Sequence, residues 1–386
     1  MPTVMDPLLR YLKSQQSAML ALLRELVETE SPSTDKAAVD RLGVMVAERI
    51  RALGGRPRFV LSQRTGNHLR AEFRLGSARP SGQILLLGHL DTVWARGTLA
   101  RMPFRVRGRR AYGPGTFDMK SGVVIGLFAL QSLQVLGIPV KKRVVFLLNA
   151  DEEIGSPSSR SLTEREARKS DAVLVLESAH GPRGALKTAR KGVGEFTIRV
   201  RGRAAHAGLE PEKGVNAIVE LSRQILRLDR LADPRQGITL SAGLVQGGSR
   251  VNVIPEEAAA TVDARVLRAQ DQRRIEQKLR SLRPFDRRAT VTVEGGFNRP
   301  PLERTAAVVE LFARARRLAR PLGLSLREAT VGGGSDGNFA AALGVPTLDG
   351  LGAVGDGAHA VTEHILVDEL PRRAALLAHL IGSLGG

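Results

Sequence analysis

Apolar residues recur along this chain with two different periods. Over 7–28, Leu8, Leu9, Leu12, Leu20, Leu22, Leu23 and Leu26 fall close to one helical face. Leu42, Val46, Ile50 and Leu53 repeat at helical spacing, and Ser33 or Thr34 stands where that helix would be capped. Short uninterrupted apolar runs then appear at 84–87, 144–148 and 172–176. Runs of that length predict strands buried on both faces. A helix-like stretch over 121–136 separates the first two. This is a βαβ rhythm, and it predicts an α/β fold in which helices sandwich a mostly parallel sheet.

The pattern changes near Lys191. Residues 195–201 alternate in polarity, as a half-exposed strand does. Helix-like 215–228, strand-like 238–245 and 258–267, a charged helix candidate over 270–282 and strand-like 289–293 follow. Strands solvated on one face with two helices predict a small α+β domain at 191–297, inserted into a larger domain made of 1–190 and 298–386. After Pro300-Pro301 a helix is expected near 305–322. A glycine-rich turn, Gly332-Gly333-Gly334-Ser335-Asp336-Gly337, then leads into another helix.

Composition narrows the function classes. Of 386 residues, 42% are hydrophobic and 25% charged, ample apolar material for cores, so a disordered chain is excluded. No apolar run approaches the roughly 18–20 residues of a membrane-spanning helix. The start has neither a basic nor an apolar leader segment, so a cytoplasmic protein is expected. The 58 basic and 39 acidic residues give a net charge of +19, which raises nucleic acid as a partner. Arginines interleave with acids, as in Glu164-Arg165-Glu166, and aromatic content is only 4%, so no specific nucleic-acid partner is expected. A positive field that steers a small anionic substrate fits the same charge. Cysteine is absent, so any metal must sit on histidines and carboxylates.

Those residues collect after the strands. Gly88-His89-Leu90-Asp91-Thr92 follows the first run, with His89 and Asp91 pointing the same way on an extended chain. Asp151-Glu152-Glu153 follows the second and Glu177 the third. Ligands of open parallel sheets bind beyond the carboxyl ends of the strands. A Gly/Pro-shaped loop, Tyr112-Gly113-Pro114-Gly115, leads to Asp118, and His359 lies on a late loop. Singly, each has an ordinary explanation: a structural histidine, a solvated acidic pair. Together the carboxylates would repel unless cations neutralise them. Two histidines with several carboxylates are the ligand set of a catalytic zinc site or zinc pair. His68, His180, His364 and His379 are read as structural or surface residues.

The runs Gly88-His89-Leu90-Asp91-Thr92-Val93, Tyr112-Gly-Pro-Gly through Asp118-Met-Lys-Ser-Gly122, and Asp151-Glu152-Glu153 through Gly155-Ser156, with the late His359, resemble the zinc-dependent exopeptidase and deacylase family. That family includes glutamate carboxypeptidases, acetylornithine deacetylase, succinyl-diaminopimelate desuccinylase and aminoacylase, and this chain is most similar to the glutamate carboxypeptidase branch. The resemblance implies two Zn2+ per subunit, with Co2+ or Mn2+ as alternatives. His89 and Glu177 would hold one ion, Glu153 and His359 the other, and Asp118 would bridge them. It implies Asp91 behind His89, Glu152 as general base, and a cis peptide after Asp118. It makes the insert a lid and dimerisation domain whose His206 reaches the partner's active site. Asn252, Arg265, Gly334 and Ser335 would bind substrate. The implied activity is hydrolysis of an amide bond beside a free carboxylate, releasing a C-terminal glutamate from a small molecule or peptide. The alternative is an N-acyl amino acid deacylase. A homodimer without membrane attachment is expected.

Overall fold

The three apolar runs form the strands Gln83–His89, Arg143–Asn149 and Ala172–Val175, and every residue of the first is buried. This is the computed structural model of the chain, and it describes residues 5–76 and 80–385. Gln83–His89 lies between the other two and runs parallel to both, with Thr347–Leu348 parallel beyond Ala172–Val175. His68–Phe73 and then Arg56–Val60 extend the sheet antiparallel on the opposite side. The six-stranded sheet is therefore parallel where the acidic residues follow it and antiparallel at one edge.

Helix Ser121–Val135 is buried on almost all sides, as its nearly continuous apolar sequence requires. Its second residue is Gly122, where a Cβ would lie 2.0 Å from the Leu176 carbonyl oxygen. Only glycine lets this helix start so close to the strand end that precedes Glu177.

Two local expectations need correction. The stretch 7–28 is not one helix but two, Pro7–Ser14 and Gln16–Glu28, separated at Gln15. The polar run Ser14-Gln15-Gln16-Ser17 divides the apolar stripe, so each half buries its own leucines. Helix Lys36–Ala52 is capped by Asp35, whose carboxylate accepts from the Ala38 N–H at 3.0 Å. Neither Ser33 nor Thr34 is the cap; the Ser33 hydroxyl donates instead to Asp91 at 2.7 Å.

The chain divides into two units: Met1–Thr188 with Arg304–Thr330 and Ser335–Gly386, and Ala189–Glu303 with Val331–Gly334. The smaller unit holds the antiparallel strands Thr239–Gly247, Glu257–Val266, Gly192–Arg201 and Thr290–Arg299, in that order across the sheet. Helices Ala217–Asp229 and Ala269–Arg280 pack against them over a core that includes Phe196, Ile198, Leu221, Val262 and Leu279. Gly192–Arg201 alternates buried and accessible positions, as its sequence pattern predicts. Among the described residues no helix is long and apolar enough to cross a membrane.

Candidate metal centre

Parallel strands end at the same edge, and that edge gathers the candidate ligands. His89 is the last residue of its strand and pairs in register with Asn149, the last of the neighbouring strand. Glu152 and Glu153 follow within one short turn, and Glu177 lies just past Val175. Asp118 arrives on the loop before helix Ser121–Val135, and the Asp118–Met119 peptide is cis. His359 comes from the late loop with a positive φ of 63°, an uncommon conformation for a side chain larger than glycine.

These side chains meet. His89 Nε2 lies 3.3 Å from Asp118 Oδ1 and 3.4 Å from Glu177 Oε1. His359 Nε2 lies 3.3 Å from both Asp118 Oδ2 and Glu153 Oε2. Asp118 therefore offers one oxygen to each histidine. Ligands about 2.0–2.1 Å from a tetrahedral zinc stand about 3.3–3.4 Å apart, so these spacings suit two ions sharing Asp118. Glu153 Oε1 is buried and has no hydrogen-bond partner, an oxygen that coordination to a cation would satisfy. Glu152 also falls within one ligand cluster with His89 and Glu177.

Surrounding groups fix these positions. His89 Nδ1 is 2.9 Å from the Asp91 main-chain carbonyl and 3.5 Å from its carboxylate, so Nδ1 keeps its proton and Nε2 faces the cluster. The buried Asp91 carboxylate also accepts the N–H groups of Glu152 and Glu153, each at 3.2 Å. His68 stands behind the same turn: its Nδ1 accepts the Ala150 N–H at 3.2 Å and its Nε2 donates to Ser158 Oγ at 3.0 Å. Ser158 in turn donates to Asp151 at 2.7 Å. Burial lowers the His68 pKa, which keeps this internal ring neutral.

Burial opposes charge on His89, yet its bonds to Asp118, Asp91 and Glu177 outweigh that and hold its pKa well above the ordinary histidine value. Bonds to Asp118 and Glu153 raise His359 to about 10. Asp118 is also desolvated, and the two histidines more than compensate, holding its carboxyl below the usual range. Burial pushes Glu153 upward. Without metal, the imidazolium protons neutralise the carboxylates, the task a bound cation would take over.

His206, Asn252, Arg265 and Gly334 belong to the smaller unit and Ser335 to the larger. Within the smaller unit, the His206 and Asn252 segments pair, with the Ala207 N–H donating to the Asn252 carbonyl at 3.0 Å. His206 is exposed, and its Nδ1 accepts from the Gly208 and Leu209 N–H groups, both at 3.1 Å. Arg265 forks onto Asp263 at 2.9–3.0 Å and reaches the Gly332 carbonyl at 3.2 Å. Ser335 is buried and its hydroxyl donates to Asp349 at 2.6 Å. Sequence reasoning missed Lys120, buried with its ammonium on the Leu26 and Thr29 carbonyls at 2.8 Å, and Glu363, buried against the Asp118 loop. Neither carries a local signal, because their partners lie far away in sequence.

The chain is similar to several known proteins. The family model for peptidase family M20/M25/M40 matches residues 85–383. Carboxypeptidase G2 of Pseudomonas sp. (strain RS-16) is 31% identical over 379 residues, covering 96% of this chain and 90% of that protein. Succinyl-diaminopimelate desuccinylase of Stenotrophomonas maltophilia is 28% identical, covering 95% of this chain and 99% of that one. Among solved structures, an aminopeptidase PepT from Bacillus cereus superposes with a TM-score of 0.80 at 22% identity, covering 96% of this chain and 99% of that one.

Proposed function

The chain belongs to peptidase family M20/M25/M40 and is a metal-dependent hydrolase, and from that premise we propose that it cleaves an amide bond beside a free carboxylate, releasing an acidic C-terminal residue. One observation carries the reading: two histidines each within 3.3 Å of a different oxygen of Asp118, with Glu152 alongside. His89 and Glu177 would hold one zinc, His359 and Glu153 the other, and Asp118 both. Bound there, the ions supply an activated water near neutral pH and polarise the scissile carbonyl. Glu152 takes the proton of the attacking water and returns it to the departing amine. Asp91 orients His89 and the Glu152–Glu153 backbone together. Asn252 and Arg265 hold the substrate's carboxylate, with Gly334 and Ser335 completing the substrate-binding turn.

The smaller unit acts in this proposal as lid and dimerisation domain. Its edge strand Thr239–Gly247 exposes Leu244 and Val245, and helix Ala217–Asp229 exposes Val219 and Leu226, apolar surface that suits a second copy. A C-terminal glutamate brings two carboxylates to a protein of net charge +19, which favours an acidic substrate.

A panel of peptidyl and N-acyl amino acids with acidic, basic and apolar C-terminal residues tests the activity. Chelator-sensitive hydrolysis fastest on acidic C-termini is expected, with kcat/KM falling as salt rises. Faster cleavage before Arg or Lys overturns the specificity. The coverage shared with the desuccinylase favours a second reading, deacylation of N-acyl amino acids, which the same panel separates.

A further inference from the structure

Glu363 sits four residues after His359 and is fully buried. Its carboxylate touches neither histidine. Oε1 accepts the N–H groups of Phe117 at 2.8 Å and Asp118 at 3.0 Å. Oε2 accepts the Gly115 N–H at 2.9 Å and the Trp94 indole N–H at 2.8 Å. Three of the four donors are backbone groups of the loop that delivers Asp118; the fourth is the chain's single tryptophan, just past His89 and Asp91. The main chain joins the two loops again, since the Gly113 N–H points at the Glu363 carbonyl at 3.4 Å.

The other end of this link is the His359 loop. It closes on itself through Ala360 N–H to the Gly357 carbonyl and Glu363 N–H to the Ala360 carbonyl, both 2.9 Å. His359 is held there with φ at 63°, and Gly357 at 81°. A loop carrying such backbone would drift unless its end were tied. Glu363 is that tie.

We infer that Glu363 is a positioning residue that clamps the Asp118 loop to the His359 loop, setting the distance between the shared carboxylate and the second histidine. This rests on the reading of the cluster as a metal centre. A carboxylate suits the task because all four facing groups are donors. Glutamine has the same shape, but its NH2 would point at two N–H groups. Only two of the four bonds would survive, and the loops would lose their common register.

Zinc affinity of the whole protein tests the clamp, measured by calorimetry with Zn2+ alone. Glu363→Gln is expected to bind zinc about 10–100-fold more weakly, the usual consequence of losing a group that orients metal ligands. Trp94→Phe removes one donor of four and should weaken binding by about a few-fold. Leu279→Ala, in the separate core of the smaller unit, should lower thermal stability and leave zinc affinity within about twofold of the unaltered protein. The Co2+-loaded Glu363→Gln protein should also show altered visible absorption bands. If folded Glu363→Gln and Trp94→Phe both bind zinc as tightly as the unaltered protein, the clamp is wrong. If Glu363→Gln does not fold, unchanged affinity in Trp94→Phe overturns it alone. An unaltered protein that binds no zinc would instead remove the metal reading.

Discussion

Glu152 and Glu153 are adjacent in sequence and face different surroundings. Glu153 is bonded to His359 and keeps a buried oxygen without a partner, whereas Glu152 falls with His89 and Glu177. If Glu152 is the base and not a ligand, Glu152→Ala should keep full metal content while kcat falls by about 10²–10⁴-fold or more. Metal analysis showing lost zinc would put Glu152 among the ligands. The histidines give a second test. His359, raised to about 10, and His89, raised well above its ordinary value, are both protonated near pH 7 before metal arrives. Metal must displace those protons, so affinity should rise with pH. Calorimetry in buffers of different ionisation enthalpy should show about two protons released per loaded site. The metal-free protein should respond in the opposite direction. Raised histidines stabilise it fully below about pH 6.5, and that contribution is lost as pH climbs towards 10. A metal-free protein whose stability is flat across that window would remove the imidazolium pairing.

At the scale of elements, close approach matters more than propensity. A Cβ at Gly122 would press on the Leu176 carbonyl at 2.0 Å, so Gly122→Ala must push helix Ser121–Val135 off the strand end beside Glu177. Overpacking of this kind costs about 1–3 kcal/mol, to be read from urea unfolding, and zinc affinity should fall with it. Unchanged stability would mean the helix can slide freely. That constraint was invisible in the sequence, where Gly122 reads only as part of a motif. Strands were legible because runs such as 84–87 are apolar at every position, and only a doubly buried strand or a buried helix tolerates that. The candidate ligands His89, Glu153 and Glu177 were legible because they stand just after such runs, whereas Asp118 and His359 lie on loops. The Gln15 break was not legible, because no side chain caps the helix that restarts there, and the Asp35 cap was not, because it turns on which of several polar neighbours takes the Ala38 N–H. Glu363 was hidden for a different reason: its partner Asp118 lies 245 residues away.

At the scale of the whole molecule, the question is whether one subunit completes the active site of another. His206 is exposed on the smaller unit, and its Nδ1 accepts two backbone N–H groups. The ring proton must then sit on Nε2, so the imidazole presents a fixed hydrogen-bond donor outward. A donor of that kind stabilises a developing oxyanion by about 3–4 kcal/mol, or some 10²–10³-fold in kcat. His206→Ala should therefore be nearly inactive while keeping its metal, as should Glu152→Ala. Mixing the two under conditions that exchange subunits separates action in trans from action in cis. In a mixed dimer, the subunit carrying His206→Ala keeps Glu152 and borrows its partner's His206, while the other site has neither. With random exchange about half the dimers are mixed and each has one complete site, so about a quarter of full activity should return. If His206 serves its own subunit, every site in the mixture lacks one group and activity stays at the level of the parents. Verified exchange without recovery would overturn action in trans.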